Sequence, residues 1–449
     1  MTRKIFGTDG IRSLVNRGPL TPGTILNVAQ ATGLQFMRGD HRHLVIIAKD
    51  TRLSGYMLEP ALTAGFTSVG MDVILVGPMP TPAVSMLIRS LRADLGIMIS
   101  ASHNPADDNG IKIFGPDGQK LPDYVEKDIE AKADSLTETD LVMPSKLGRA
   151  RRLDDAPGRY IEHVKSTFPK GKTLQGLKIV IDCANGAAYK IAPTVLWELG
   201  AEIIPIGIHP DGRNINQNCG ATSTGALQKS VVDNKADIGI ALDGDADRII
   251  VSDEKGHIVD GDQLIASLAC HWQKNDKLNH NTVVTTLMSN IGLENYLATK
   301  GIKMIRTQVG DRYVSAEMLN NNYNLGGEQS GHIILSDYGT TGDGLLAGLQ
   351  ILSILVESRQ PASKVLQKFK AVPQSLKNYR FKDRTLLENS IVKNCMDVAE
   401  KKLTDAGGRL LIRKSGTEPL VRVMAECEDA DLLNTAIDDV IQCLEKTDK

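Results

Sequence analysis

Three short apolar runs, each ending in a polar or glycine-marked turn and followed by a helix-like stretch, constrain this chain more than any other feature. They are "HLVIIAKDTRLSG" from His43, "LKIVIDCANGAA" from Leu177 and "NTVVTTLMSNIGLENYL" from Asn281. Unbroken runs of four to six apolar residues describe strands buried on both faces, as in parallel sheets covered by helices. Their spacing predicts one α/β unit used three times. A chain of 449 residues exceeds one ordinary core, so several domains are expected. The expected architecture is α/β: a similar unit three times, then a smaller α+β domain in the tail.

Composition shifts set the boundaries. The charged segment Lys132–Tyr160 reads as a linker, "IVSDEKGHIVDGDQL" as the second crossing, and Phe369–Asp383 as the lead into the tail. The resulting units are 1–150, 155–255, 256–368 and 375–449. The net charge of −2 argues against nucleic acid or a membrane surface as partner. The six cysteines are scattered without C-x-x-C or zinc-like spacing and read as reduced thiols of a cytoplasmic protein. No apolar run approaches the length of a signal or membrane-spanning segment.

Four polar loops carry the chemistry. In "SASHNP", Ser102 follows the apolar run Leu95–Ile99. Adjacent residues on an extended chain point to opposite sides, so His103 is expected to be a poor base for Ser102. No G-x-S-x-G elbow surrounds it. A plain turn is the simplest reading of this loop alone. In "DGDADR", Asp243, Asp245 and Asp247 alternate on what reads as extended backbone, which predicts three carboxylates on one side. Such crowding calls for a cation, and an all-oxygen set favours Mg²⁺. An EF-hand is excluded because its sixth position is Arg248 and the flanks are strand-like.

The third loop, "LGGEQSGHIIL", presents Glu328, Ser330 and His332 between glycines, a set suited to sugar hydroxyls. The fourth, "RKSGTEPLVRVMAE", gathers Arg413, Ser415, Gly416, Thr417 and Arg422, which suits a phosphate. A serine, an oxygen-rich metal site, a hydroxyl reader and a phosphate clamp together point to phosphoryl transfer on a sugar phosphate.

These loops, in this order and together with "FGTDGIR" at Phe6, resemble the α-D-phosphohexomutase family over essentially the whole chain. The resemblance implies four domains around a central cleft, the first three related α/β units with mixed sheets. It implies that Ser102 carries a phosphate, and that Asp243, Asp245, Asp247 and a phosphoserine oxygen hold one Mg²⁺. It implies that Glu328 and Ser330 contact sugar hydroxyls, and that Arg413, Ser415, Gly416, Thr417 and Arg422 grip the distal phosphate. Arg12, Lys112, Arg248 and His332 match positions lining the reaction centre, with Lys112 and His332 both open as proton carriers. "GEQSGH" and "VGDRYV" resemble the glucosamine branch.

The implied reaction interconverts glucosamine 6-phosphate and glucosamine 1-phosphate through a hexose 1,6-bisphosphate, which serves as both intermediate and activator and supplies UDP-N-acetylglucosamine. A glucose or mannose phosphate mutase is the alternative, and a metal-dependent sugar phosphatase a more distant one. A monomer or homodimer is expected, with a fourth domain free to close the cleft.

Overall fold

The computed structural model describes residues 5–7, 9–383, 385–414 and 420–448. Three sheets share one plan. In the first, Leu44–Lys49 pairs in parallel with Asp72–Pro78 and Leu95–Ile99, and Leu95–Ile99 turns back through a hairpin into antiparallel Asp108–Phe114. In the second, Lys178–Asp182 pairs in parallel with Glu202–Ile206 and Ile238–Leu242, and the hairpin returns as Ile249–Asp253. In the third, Thr282–Thr286 pairs in parallel with Lys303–Thr307 and Leu325–Gly327, and the hairpin returns as Ile333–Leu335. The repeat expected from the three apolar runs is therefore real, and each run opens the shared plan, preceded in the first unit by the edge strand Ile11–Leu14.

This plan explains the spacing of three loops. Ser102, the aspartate triad and Glu328–His332 each occupy the hairpin after the third strand of their unit. One topological position, used three times, yields a serine, three carboxylates and a hydroxyl reader. It lies at the carboxyl end of a parallel strand, where open α/β sheets place their ligands.

The segment read as a linker does more than connect. Its Ala150–Arg152 adds a parallel edge strand beside Asp72–Pro78, and Ala156–Ser166 is already a helix of the second unit. Short edge strands of high charge need no second apolar face, which is why periodicity did not betray this one.

One apolar core runs through all three units, from Ile46 and Leu87 through Ile181 and Ile240 to Leu349 and Leu366. The tail folds separately. Gln374–Arg380, Leu420–Glu426 and Arg409–Lys414 form an antiparallel sheet under the helices Ser390–Asp405 and Ala430–Thr447, with its own core around Val423 and Ile437. No helix among the described residues is long and apolar enough to cross a membrane.

Candidate active site

Ser102 sits 2% exposed in a left-handed turn, φ +50°, a conformation that costs a non-glycine residue energy and needs outside support. That support comes from Arg52, which is completely buried. Its Nε donates to Asp50 Oδ2 at 2.8 Å, and its Nη2 donates to the carbonyls of Ser102 and Asn104, each at 2.9 Å. Its Nη1 donates to the carbonyls of Pro105 and Asp108. Asp50 also accepts the Ser100 hydroxyl at 2.6 Å, and Ser100 Oγ accepts the Ser102 N–H at 2.9 Å. From the second unit, Asn216 Nδ2 donates to the same Ser102 carbonyl at 2.9 Å. One planar guanidinium thus gathers the whole serine turn.

The turn redirects the serine. Ser102 Oγ donates to Asp243 Oδ2 at 2.6 Å, while His103 Nδ1 lies 3.3 Å from Ser102 Oγ. The expectation that His103 points away is corrected here: a left-handed turn replaces the extended backbone on which that argument rested. His103 is still a poor base, because burial, followed by Arg248 and Arg12, drives its pKa down to about 4.

Asp243, Asp245 and Asp247 converge, though not by strand alternation. They bracket a tight turn in which Ala246 is left-handed, φ +58°. Gly244 is required within it, since a Cβ there would stand 2.5 Å from the Ser102 carbonyl oxygen. Oδ1 of Asp245 and Oδ1 of Asp247 are buried and accept no hydrogen bond among the described residues, as expected of oxygens suited to a cation. Burial, then Asp247 and Asp245, pushes the Asp243 carboxyl up to about 8. For Asp247 burial works against the charge, but Lys112, His332 and Arg248 outweigh it and hold its carboxyl well below the usual range. The donor set, three hard oxygens with two orphaned, fits a metal ion of the Mg²⁺ class.

Lys112 lies behind the carboxylates, its Nζ donating to Asp245 at 2.7 Å and Asp247 at 3.0 Å. Burial opposes its charge, but the aspartates outweigh burial and raise its pKa well above the ordinary value. It is therefore a fixed cation.

His332 lies between Asp247, 3.7 Å from Nδ1, and Asp311, 3.5 Å from Nε2. Gly342 N–H donates to Nε2 at 3.2 Å, which sets the neutral tautomer with its proton on Nδ1. Burial lowers the basicity of this ring, but Asp247 and Asp311 more than restore it.

Facing the serine is a cavity of about 800 Å³, a volume suited to a phosphosugar. Every unit lines it: Arg12 and Ser102 from the first, Asp247 and Arg248 from the second, Glu328 and His332 from the third, Arg413 and Arg422 from the tail. Arg413 stands directly opposite Arg422 across the antiparallel pair. Like charges in register repel unless an anion lies between them. Burial and then Arg422 lower the pKa of Arg413, and Arg422 Nε is buried with no partner among the described residues. Ser415, Gly416 and Thr417 lie outside the described residues. Ser330 is exposed and does not line the cavity, whereas Glu328 does, accepting the Gly310 N–H at 3.3 Å.

Several residues were missed from the sequence. Arg52 and Asp50 stood in the quoted "KDTRLSG" as an ordinary polar turn, and only the D-x-R at a strand's carboxyl end hinted at more. Lys120 bridges Asp9 at 2.5 Å and Asp311 at 2.6 Å, tying the first unit to the third at the cavity wall. The acidic halves of that bridge were visible in "FGTDGIR" and "VGDRYV"; the lysine carried no signal.

Comparison with known proteins decides what this assembly belongs to. Family models described as phosphoglucomutase/phosphomannomutase match successive parts of the chain: alpha/beta/alpha domain I over 3–140, domain II over 158–256, domain III over 260–372 and the C-terminal domain over 366–442. The chain belongs to the phosphoglucomutase/phosphomannomutase family. Among its relatives, a phosphoglucosamine mutase of Paramagnetospirillum magneticum is 58% identical over 99% of both chains. One of Granulibacter bethesdensis is 60% identical over 98% of this chain and 96% of its own. A phosphoglucomutase/phosphomannomutase family protein of Burkholderia thailandensis superposes with a TM-score of 0.82 at 25% identity, covering 100% of this chain and 98% of that one. The four-domain plan is thus the family's own.

Proposed function

We propose that this chain is an isomerase of the phosphoglucosamine mutase type, interconverting glucosamine 6-phosphate and glucosamine 1-phosphate through a phosphorylated Ser102. The observation that carries this reading is the pairing of ends across one cavity. A serine hydroxyl rests on a buried carboxylate triad at one side, and two opposed arginines stand at the other. The preference for the amino sugar rests on relatives near 58% identity that bear that name.

In the forward half-reaction the P–O bond to Ser102 Oγ breaks and a bond from phosphorus to the sugar O1 forms. The O1 hydroxyl gives up its proton, which the cavity-lining His332 takes, and the departing Ser102 Oγ gains one, so that the step moves one proton net from O1 to Ser102. Arg12 and Arg248, both at the cavity wall, stabilise charge on the moving group. Arg413 and Arg422 hold the phosphate that is not reacting. The resulting hexose 1,6-bisphosphate turns over, and its 6-phosphate returns to Ser102. Asp243, Asp245 and Asp247, with a phosphoserine oxygen, would hold a Mg²⁺ ion, and the bound ion would supply charge neutralisation.

Intact-mass analysis of the purified protein tests this: one added phosphate is expected, absent from Ser102→Ala. Its companion is kcat/KM for glucosamine, glucose and mannose phosphates, where a glucose or mannose preference would reject the substrate assignment. Steady release of inorganic phosphate would indicate a phosphatase.

A further inference from the structure

Among the described residues, two groups of three metal-ligating side chains bring donor atoms within 4.8 Å of one another. One is the aspartate triad. The other is His41, His43 and Asp94. It lies at the far end of the first sheet from the cavity. His43 immediately precedes the strand Leu44–Lys49, and Asp94 immediately precedes its parallel neighbour Leu95–Ile99. The carboxyl ends of the same two strands lead to Arg52 and to Ser102. Five residues of strand, roughly 16 Å, therefore separate this group from the reaction centre.

The donors converge on one point. His41 Nε2 lies 2.7 Å and His43 Nδ1 3.3 Å from the same oxygen, Asp94 Oδ1. The other carboxylate oxygen accepts the Leu44 N–H at 2.8 Å, so the carboxylate is fixed in place by the backbone, as ligating carboxylates commonly are. The imidazole rings lie 4.3 Å apart between centroids, and Arg42 between them turns away to Asp72. Zinc bonds of about 2.0–2.2 Å give ligand-to-ligand edges of roughly 3.4 Å in a tetrahedron; the His43 contact already has this length, and the 2.7 Å His41 contact must open to reach it. His43 is buried, while His41 is 57% exposed and leaves one side open to water.

We propose that His41, His43 and Asp94 form a second metal site, selective for a borderline divalent ion of the Zn²⁺, Ni²⁺ or Co²⁺ class. Two imidazole nitrogens and one carboxylate are the opposite choice of donors from the all-oxygen triad. The chain thus sorts two kinds of cation to two places, the amino end of the first sheet and the hairpin of the second. Binding needs a tautomer change, in which the nitrogens that face Asp94 lose their protons to the distal ring positions, and a shift of the exposed His41 ring away from Asp94. The occupied site fastens the segment before one strand to the turn before the next, so it stabilises the first unit and takes no part in turnover.

Titration of the full-length protein, kept in millimolar Mg²⁺ to occupy the triad, with Ni²⁺ or Zn²⁺ by calorimetry tests this. One equivalent with micromolar affinity is expected, weakened at least tenfold in His41→Ala. That variant changes an exposed side chain and should keep mutase turnover within twofold. Co²⁺ should give a spectrum without the thiolate charge-transfer band of a cysteine site. Absence of binding in this range, undiminished affinity in His41→Ala, or a thiolate band would each overturn the assignment.

Discussion

The two ends of the cavity are built by opposite strategies. At the serine end, Ser102 and the triad come from two units that share a single apolar core, and the turn's carbonyls are held by Arg52 and Asn216. At the arginine end, Arg413 and Arg422 belong to a domain with its own core. That domain meets the third unit through polar contacts: Arg409 donates to the carbonyls of Leu287 at 2.9 Å and Ser289 at 2.7 Å, and Asn290 exchanges hydrogen bonds with the backbone of Val372. The first end is finished before substrate arrives. The second holds a repulsion that only an anion relieves. Breaking bonds to phosphorus demands fixed geometry, whereas a grip that must accept the sugar in two orientations benefits from a movable part.

The largest effect should come from undoing the finished end. Arg52→Met leaves Asp50 buried without its cation and strips donors from four carbonyls. Breaking one side of a buried pair costs about 3–5 kcal/mol, and kcat should fall by roughly 10²–10³-fold as the serine loses its position. Arg52→Lys retains charge but not the planar fork, and should recover stability more than kcat. Thermal melts and single-turnover phosphoryl transfer would separate the two. Full activity in Arg52→Met would mean that the turn holds itself.

The arginine end should respond with the opposite sign. Arg422→Gln removes a charge-assisted phosphate contact, worth about 1.5–3 kcal/mol, so KM should rise roughly 10–100-fold. The free protein should be no less stable, because the charge opposed to Arg413 has gone. A fall in stability without a change in KM would reverse the comparison.

A third difference is set by pH. Asp243, with a carboxyl near 8 in the folded metal-free protein and 3.8 when unfolded, binds its proton more tightly in the native state. Native protein therefore holds the extra proton between those values, and its contribution to stability declines as pH rises through that window. Mg²⁺ competes with that proton, so its apparent affinity should climb by up to about tenfold per pH unit below pH 8 and then level off. Mg²⁺-dependent shifts in melting temperature at pH 6, 7 and 8 would show it, the increment growing with pH. A pH-independent increment would mean that Asp243 is already ionised.

The fold was legible because buried parallel strands leave unbroken apolar runs, and because the turn residues that end them are polar and glycine-marked. The runs at Leu44, Leu177 and Thr282 each revealed a unit. What escaped were features without a pattern. The edge strand Ala150–Arg152 has every residue exposed, so no apolar signal marks it. Arg52 is one arginine among many, and its worth comes from carbonyls about fifty residues away. The alternation of aspartates led to the right cluster for the wrong local reason, since a left-handed Ala246 produces the convergence. His103 was misplaced for the same cause: left-handed turns at non-glycine residues are invisible to period-two reasoning.

Gln329 offers the smallest and most informative test. It sits between Glu328 and Ser330 in "GEQSGH", the stretch that resembles the glucosamine branch. Its side chain donates to Asp260 Oδ2 at 3.3 Å and does not line the cavity. Asp260 caps the helix Gly261–Lys274, accepting the Gln263 N–H at 3.1 Å. Gln329 thus braces the loop that presents Glu328 and His332, as Arg52 braces the serine turn, but with one neutral hydrogen bond. Gln329→Ala should cost about 1 kcal/mol of stability. It should change the ratio of kcat/KM for glucosamine over glucose phosphate by less than about threefold, because a group outside the cavity cannot distinguish an amine from a hydroxyl within it. A shift of tenfold or more would place the side chain in the cavity when substrate is bound, and would extend the mobility inferred for the tail to the third hairpin.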